Sequence, residues 1–507
     1  MPNDIKKIQK SILSGSSFAL IGSAALAAMK YLQRLVLART LAPDQYGVFS
    51  LGLMVFMVTV SVGLLGIQRG VNRFVPFFRA SGDESKVKGV LLGGSVLALI
   101  SGLTFAVILF LLAEPLSVSL FSEPGLTGVL RVFCFAVPSM ILLRVLIRGF
   151  EGFKKINYSM GIKTGEIFLR LIGIVVVSAL GFELLSVPAV FILSTWLVVL
   201  VGFWLLRERV FPLFDPNIKV NYELGQLFRY SWPLFLTGIL NLVVGWTDTF
   251  MIGYFSDSAN VGIYNVALPT SQMIILLLQS ISVIFLPLAT EAFSRDEESR
   301  LREIFNITYR WVFLATLPIY LFMALFAQPI IVLMFGSKYA AGAGALVVLS
   351  TGFFLSSLSG PTQKLFNSVG RTKLVLGLTT STALVNVGLN ILLVPRFGIM
   401  GAAAATATSL AAGSLLNLVF LYRITRLFPL NLFFLRPFLV GISSIGGLYL
   451  FEKLLPVKIS VWFIPLEVIV ALGLYGVGLY LTNSLKEDDK EIISVAFSAV
   501  RRRMGGF

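Results

Sequence analysis

No histidine occurs anywhere in the 507 residues. That removes the commonest general base, metal ligand and proton relay, so any proton coupling falls to Asp or Glu. Cys134 is the single cysteine, which excludes an intrachain disulfide framework and leaves a cysteine-based metal site without partners. Charge is scarce: Asp, Glu, Lys and Arg make up 13% of the chain, about half the share of a soluble domain. Acidic residues are the scarcer kind, 25 against 41 basic ones, for a net charge of +16. Apolar residues make up 57%, and the mean hydropathy is +0.89. No water-facing surface of ordinary size can be built from this inventory, which excludes a soluble enzyme and a disordered chain. At about 20 residues per crossing, the composition describes an all-α polytopic membrane protein.

Hydropathy and turn signals predict about 14 transmembrane helices. The first six are 12–36, 48–68, 89–112, 126–146, 159–180 and 184–206. The next six are 231–253, 261–285, 304–327, 340–361, 374–394 and 399–422, and two more follow at 431–451 and 461–482. The opening MPNDIKKIQKSILSG is basic, but the apolar run after it continues to about Val36. It reads as a retained first helix and not as a cleaved signal peptide. With the N-terminus inside, thirty Lys and Arg fall in the inner segments and five in the outer loops; the other six of the 41 lie within spans. Such a bias orients a membrane protein. It places both termini in the cytoplasm, and it accounts for most of the +16 without a nucleic-acid partner.

Two halves are visible. Residues 47–53 read GVFSLGL and residues 262–268 read GIYNVAL, at an offset of 215. Arg207 after the sixth span matches Arg423 after the twelfth at nearly the same offset, and GFEGFKK at 149–155 and FNSVGRTK at 366–373 occupy equivalent loops. Six spans per unit is an even number, so the repeat is parallel, related by an axis along the membrane normal. The expected organisation is a six-helix lobe over 1–206, a cytoplasmic linker over 207–230 and a second six-helix lobe over 231–424. Two additional C-terminal helices over 425–484 and a basic tail over 485–507 follow. Two parallel lobes around a central cavity are the architecture of an alternating-access transporter.

Four segments carry a resemblance to a known family. LARTLAPDQYGVFSLGL at 37–53 and DTFMIGYFSDSANVGIYNVALP at 248–269 resemble the first-loop and seventh-to-eighth-span signatures of the polysaccharide-type lipid-linked oligosaccharide flippases. FGSKYAAGAGAL at 335–346 and VPRFGIMGAAAATATSL at 394–410 resemble the signatures before the tenth and twelfth spans. The likeness runs over about 10–480. These flippases share a superfamily with the multidrug and toxic-compound extruders and the lipid II flippases. The resemblance implies a non-enzymatic carrier in the cell membrane. It would move a polyprenyl-(pyro)phosphate-linked oligosaccharide from the cytoplasmic to the outer leaflet, with a cationic cavity between its lobes. The implied setting is a monomer among membrane lipids, served by glycan-assembly enzymes, with no cofactor and H+ or Na+ as the possible coupling ion.

The cargo chemistry selects candidate residues. A hydrated, anionic headgroup is costly to bury without partners, and Arg suits phosphate through charge-assisted bidentate hydrogen bonds. Ionisable residues inside spans are the first candidates. Arg170 lies about 16 Å into the fifth span at 1.5 Å per residue, with Glu166 one turn earlier. Two readings are open: a cavity-lining cation, or a structural ion pair. Lys30 and Arg34 form another i,i+4 set on the first span, either lining the cavity or snorkelling to headgroups. Arg69 and Arg73 flank the inner end of the second span, where they receive phosphate or simply obey the positive-inside bias. Arg131, Arg144 and Arg310 are weaker candidates. Asp248 on the seventh span sits near the repeat-equivalent of Arg34, either pairing with it or taking up a proton. Asn241 in the same span binds sugar hydroxyls or another helix.

An ion-coupled multidrug antiporter is the alternative within the superfamily. Such sites rely on acidic groups, whereas the spans here hold more Lys and Arg. A membrane glycosyltransferase would need acidic catalytic groups on sizeable outer loops, and the longest outer loop, near 113–125, offers only Glu114 and Glu123.

Overall fold

A computed structural model describes residues 22, 25–181, 184–295, 297–360, 362–426, 434–454 and 463–485. Among them there is no β-strand. The first helix, α1, runs over residues 25–40. It is followed by α2 (Pro43–Gly63), α3 (Ile67–Ala80), α4 (Glu84–Glu114), α5 (Gly125–Cys134), α6 (Val137–Gly152), α7 (Ile156–Ala179) and α8 (Ser186–Arg209). Then come α9 (Leu224–Phe255), α10 (Ser258–Ser271), α11 (Met273–Ser294), α12 (Glu298–Leu325), α13 (Ala327–Phe335), α14 (Ala343–Ser357) and α15 (Thr362–Ser368). The last are α16 (Thr372–Thr425), α17 (Leu435–Gly441), α18 (Gly447–Leu454) and α19 (Ile464–Leu481). Seven described stretches are each long and apolar enough to cross a membrane, and α5 with α6, bent by 47°, would make an eighth. Residues 12–21, 23 and 24 of the first predicted span, and the tail beyond 485, lie outside the described residues.

The breaks have local causes. Pro115 supplies no N–H, and the helix continues past it as a π-turn over Pro115–Leu120. Leu65 and Gly66 adopt positive φ of 46° and 76°, ending α2 and starting α3 on a new axis. The predicted span 261–285 is divided at Gln272, three residues after Pro269. Within α16, Gly398 has φ 53° and ψ −129°, three residues after Pro395, so the predicted spans 374–394 and 399–422 meet at a glycine-dependent corner.

The chain forms two compact units. The first comprises residues 1–266 with 386–402, and the second 267–385 with 403–507. Lipid tails are as apolar as leucine, so packing and small residues hold such helices together. In the first unit, Phe56 and Phe133 stack at 4.8 Å and Phe133 meets Phe191 edge-on at 5.6 Å. In the second, Phe285, Phe305, Tyr309, Leu365 and Phe366 form a core cluster. There the Tyr309 hydroxyl lies 2.5 Å from both the Ser359 carbonyl oxygen and the Thr362 hydroxyl.

The segment expected to be a loose linker is strapped to the first unit. The buried Lys88 ammonium donates to the carbonyls of Asp215 at 2.5 Å and Ile218 at 2.9 Å. Lys86 pairs with Glu223 at 3.4 Å. Gly89 leaves no room for a Cβ beside the Asn221 carbonyl.

Candidate functional site

The cations of the first unit are gathered by α1, α6 and α7. Lys30 and Arg34 stand one turn apart on α1, and the buried Gln33 Nε2 donates to the Ile167 carbonyl at 2.7 Å, fastening α1 to α7. Lys30 lies within electrostatic reach of Arg34, Arg144, Lys163 and Arg170. Such a concentration of one sign inside membrane helices stands only where counter-charges, water or a ligand offset it.

The counter-charges are unevenly shared. Arg170 is buried and ion-paired with Glu166, and its guanidinium lies 3.9 Å from the centroid of the Phe191 ring on α8. Glu151, at the end of α6, accepts from Lys163 at 2.7 Å, Arg148 at 2.5 Å and Ser159 at 3.0 Å. Lys30, Arg34 and Arg144 have no ion pair or hydrogen bond from their charged ends among the described residues. Lys30 and Arg144 are exposed and Arg34 is half-buried.

The other sequence candidates are dispersed. Arg69 and Arg73 lie on α3; the Arg73 guanidinium sits 4.2 Å from the Tyr230 ring centroid and 5.7 Å from that of Phe74. Arg131 is exposed and pairs with Glu114 at 3.3 Å. Arg310 is buried in the second unit. Asn241 belongs to α9, with its side chain outside the described residues.

Asp248 forms a second polar centre. It is buried on α9, where the Tyr264 hydroxyl of α10 donates to Oδ2 at 2.5 Å and the Asn390 amide of α16 donates to Oδ1 at 2.9 Å. Asn390 also donates to the Asn386 carbonyl at 3.0 Å, while its own side-chain oxygen has no hydrogen-bond partner among the described residues. Beside this centre lies an apolar cavity of about 420 Å³, lined by Met54, Thr59, Phe121, Trp246, Thr247 and Phe250 among others.

Sequence reasoning set Arg144 aside and passed over Glu151, Phe191, Tyr264 and Asn390. The i,i+3 spacing of Arg148 and Glu151 was a legible signal. Phe191 and Asn390 carried none, because neither is near its partner in sequence.

Multiple apolar spans, broken helices and ionisable groups among the helices define a multi-pass α-helical membrane protein. Residues 36–343 match the model of the family described as polysaccharide biosynthesis protein. The chain belongs to that family. It is 22% identical to an uncharacterised membrane protein of Methanocaldococcus jannaschii, over 96% of this chain and 99% of that one. It is 25% identical to a probable low-salt glycan biosynthesis flippase, Agl15, of Haloferax volcanii, over 42% of this chain and 45% of that one. The chain thus matches less than half of that flippase's length. A solved lipid II flippase MurJ, in an inward closed conformation, shares the fold at a TM-score of 0.73 and 14% identity, covering 91% of this chain and 98% of that one.

Proposed function

We propose that this protein carries a polyprenyl-linked, phosphate-bearing glycan across the cell membrane, from the cytoplasmic to the outer leaflet. Lys30, Arg34 and Arg144 receive the phosphate. The observation that carries this reading is the charge balance: these three cations lack counter-ions among the described residues, while the neighbouring Arg170, Arg148 and Lys163 have theirs. A phosphate or pyrophosphate supplies the missing negative charge and accepts charge-assisted hydrogen bonds from all three. Asp248, held between a phenol and an amide, is the candidate for coupling to H+ or Na+. No step here makes or breaks a covalent bond, in keeping with relatives that are flippases.

The test is reconstitution into liposomes with a fluorescent polyprenyl-pyrophosphate-linked sugar loaded in one leaflet. Loss of quencher protection or gain of lectin accessibility in the other leaflet is the expected result. Glycan that stays in its original leaflet, with export of a cationic dye by the same vesicles, would replace this reading with the antiporter.

A further inference from the structure

The structure brings the two copies of the repeat pair GVFSLGL and GIYNVAL into contact. Gly47 opens the first copy on α2, and Gly262 opens the second on α10. A methyl group on Gly47 would overlap the Ser258 carbonyl oxygen and lie 3.1 Å from the Gly262 nitrogen. A methyl group on Gly262 would overlap the Pro43 carbonyl oxygen and lie 3.1 Å from the Gly47 nitrogen. The contact is reciprocal, and Pro43 and Ser258 are separated by the same 215 positions as the two glycines. Two helix starts related by the repeat therefore meet backbone to backbone.

Side chains extend the joint on either side. Leu51 packs against the bare Cα of Gly253 on α9, and Phe121 meets Phe250 edge-on at 5.7 Å. The Ser258 amide, an N-terminal donor of α10 with no intrahelical acceptor, donates to Glu123 Oε1 at 3.1 Å. Glu123 is one of the two acids in the loop that sequence reasoning found too poor for catalysis. Capping an orphan amide of the other repeat is a use for it that needs no chemistry.

We infer that Gly47 and Gly262 form a separable seal. It is a zipped joint between repeat-related helix starts, fastened by the Glu123 cap, and it closes the protein on the face that the Lys and Arg distribution assigns to the outside. Backbone contact at the glycines leaves only the flanking Leu51–Gly253 and Phe121–Phe250 contacts to unpack, so the joint can part and re-form as a unit. Small residues are what allow such approach between membrane helices. The inference rests on the reading of the chain as a transporter, but not on the identity of its cargo.

The experiment uses the full chain in liposomes without cargo. Cys134→Ser supplies a cysteine-free background, and Leu51→Cys, at a position fully buried in the joint, reports opening to a membrane-impermeant maleimide added outside. Gly47→Ala and Gly262→Ala hold the joint apart and speed labelling at least about tenfold, and Glu123→Ala, which leaves the glycine contact intact, speeds it about threefold. Gly473→Ala, where no atom lies within 4 Å of the added methyl, leaves the rate unchanged. The inference is overturned if none of the three joint variants speeds labelling. It is equally overturned if an inner-end reporter, Ser85→Cys, accelerates in step with Leu51→Cys, because that would be general loosening. Failure of glycan flipping would leave these rates untouched, so the two readings fail separately.

Discussion

Two groups of cations share the first unit and differ in one respect. Arg170, Arg148 and Lys163 have carboxylates in contact; among the described residues Lys30, Arg34 and Arg144 do not. The paired group is bound into the fold: Arg170 is buried under an aromatic ring, and Glu151 ties the end of α6 to α7. Exposure does not divide the groups: Arg148 is exposed like Lys30 and Arg144, and Arg34 is half-buried. A buried charge must be neutralised within the fold to be tolerated, whereas an accessible one can wait for a ligand. Span position set Arg170, Lys30, Arg34 and Arg144 apart from Arg148 and Lys163, which were counted among the inner-segment charges; the counter-charge divides the six differently.

The largest effect should fall on the paired side. Arg170→Leu strands Glu166 in the interior, and losing one partner of a buried pair costs about 3–5 kcal/mol. A large drop in the melting temperature in detergent is expected. Replacing both Arg170 and Glu166 by leucine should restore much of it. If the single variant melts like the parent, the pair is not structural and the contrast disappears.

On the unpaired side the expected effect is on binding. Arg34→Ala or Arg144→Ala each removes one charge-assisted contact, so affinity for a polyprenyl pyrophosphate should fall about tenfold with the melting temperature unchanged. Titration of fluorescent lipid into detergent-solubilised protein measures this. A parallel fall in stability would move these residues into the structural group.

Asp248 extends the comparison to the acidic side, where a phenol and an amide donate to its two carboxylate oxygens. Asp248→Asn keeps the shape but turns one acceptor into a donor facing Tyr264 or Asn390. That should cost about 1–2 kcal/mol. If Asp248 couples transport, the dependence of flipping on pH or Na+ should vanish in the variant, as read in liposomes with imposed gradients. Unchanged coupling would leave the residue a purely structural tie.

The smallest effect is predicted at Arg73, whose described contacts are aromatic faces. Arg73→Ala should cost about 0.5–1 kcal/mol through the lost Tyr230 stacking and leave lipid binding within twofold of the parent. A larger loss of binding would extend the anion site onto α3.

Much of this was legible along the chain. Hydropathy fixed the class, and most predicted spans coincide with described helices, because a segment in oil must satisfy its own backbone locally. The Arg170–Glu166 pair was visible at i,i+4, since four residues bring side chains to one face of a helix. Which cations lack a carboxylate among the described residues was not legible, because nothing in the sequence indicates where the acids of other helices lie. The strapped linker was missed for a related reason: Lys88 was counted as one of the charges that orient the chain, while its ammonium is spent on carbonyls 127 and 130 residues away.

Composition and periodicity by themselves determined that this chain lives in a membrane, is helical and repeats itself, because those properties follow from the solvent and from neighbours within a turn. Only tertiary structure decided that Asn390 reaches Asp248 across 142 residues, that Phe191 covers Arg170, and that Gly47 meets Gly262. Those contacts depend on where separate helices lie in space, which no local pattern encodes.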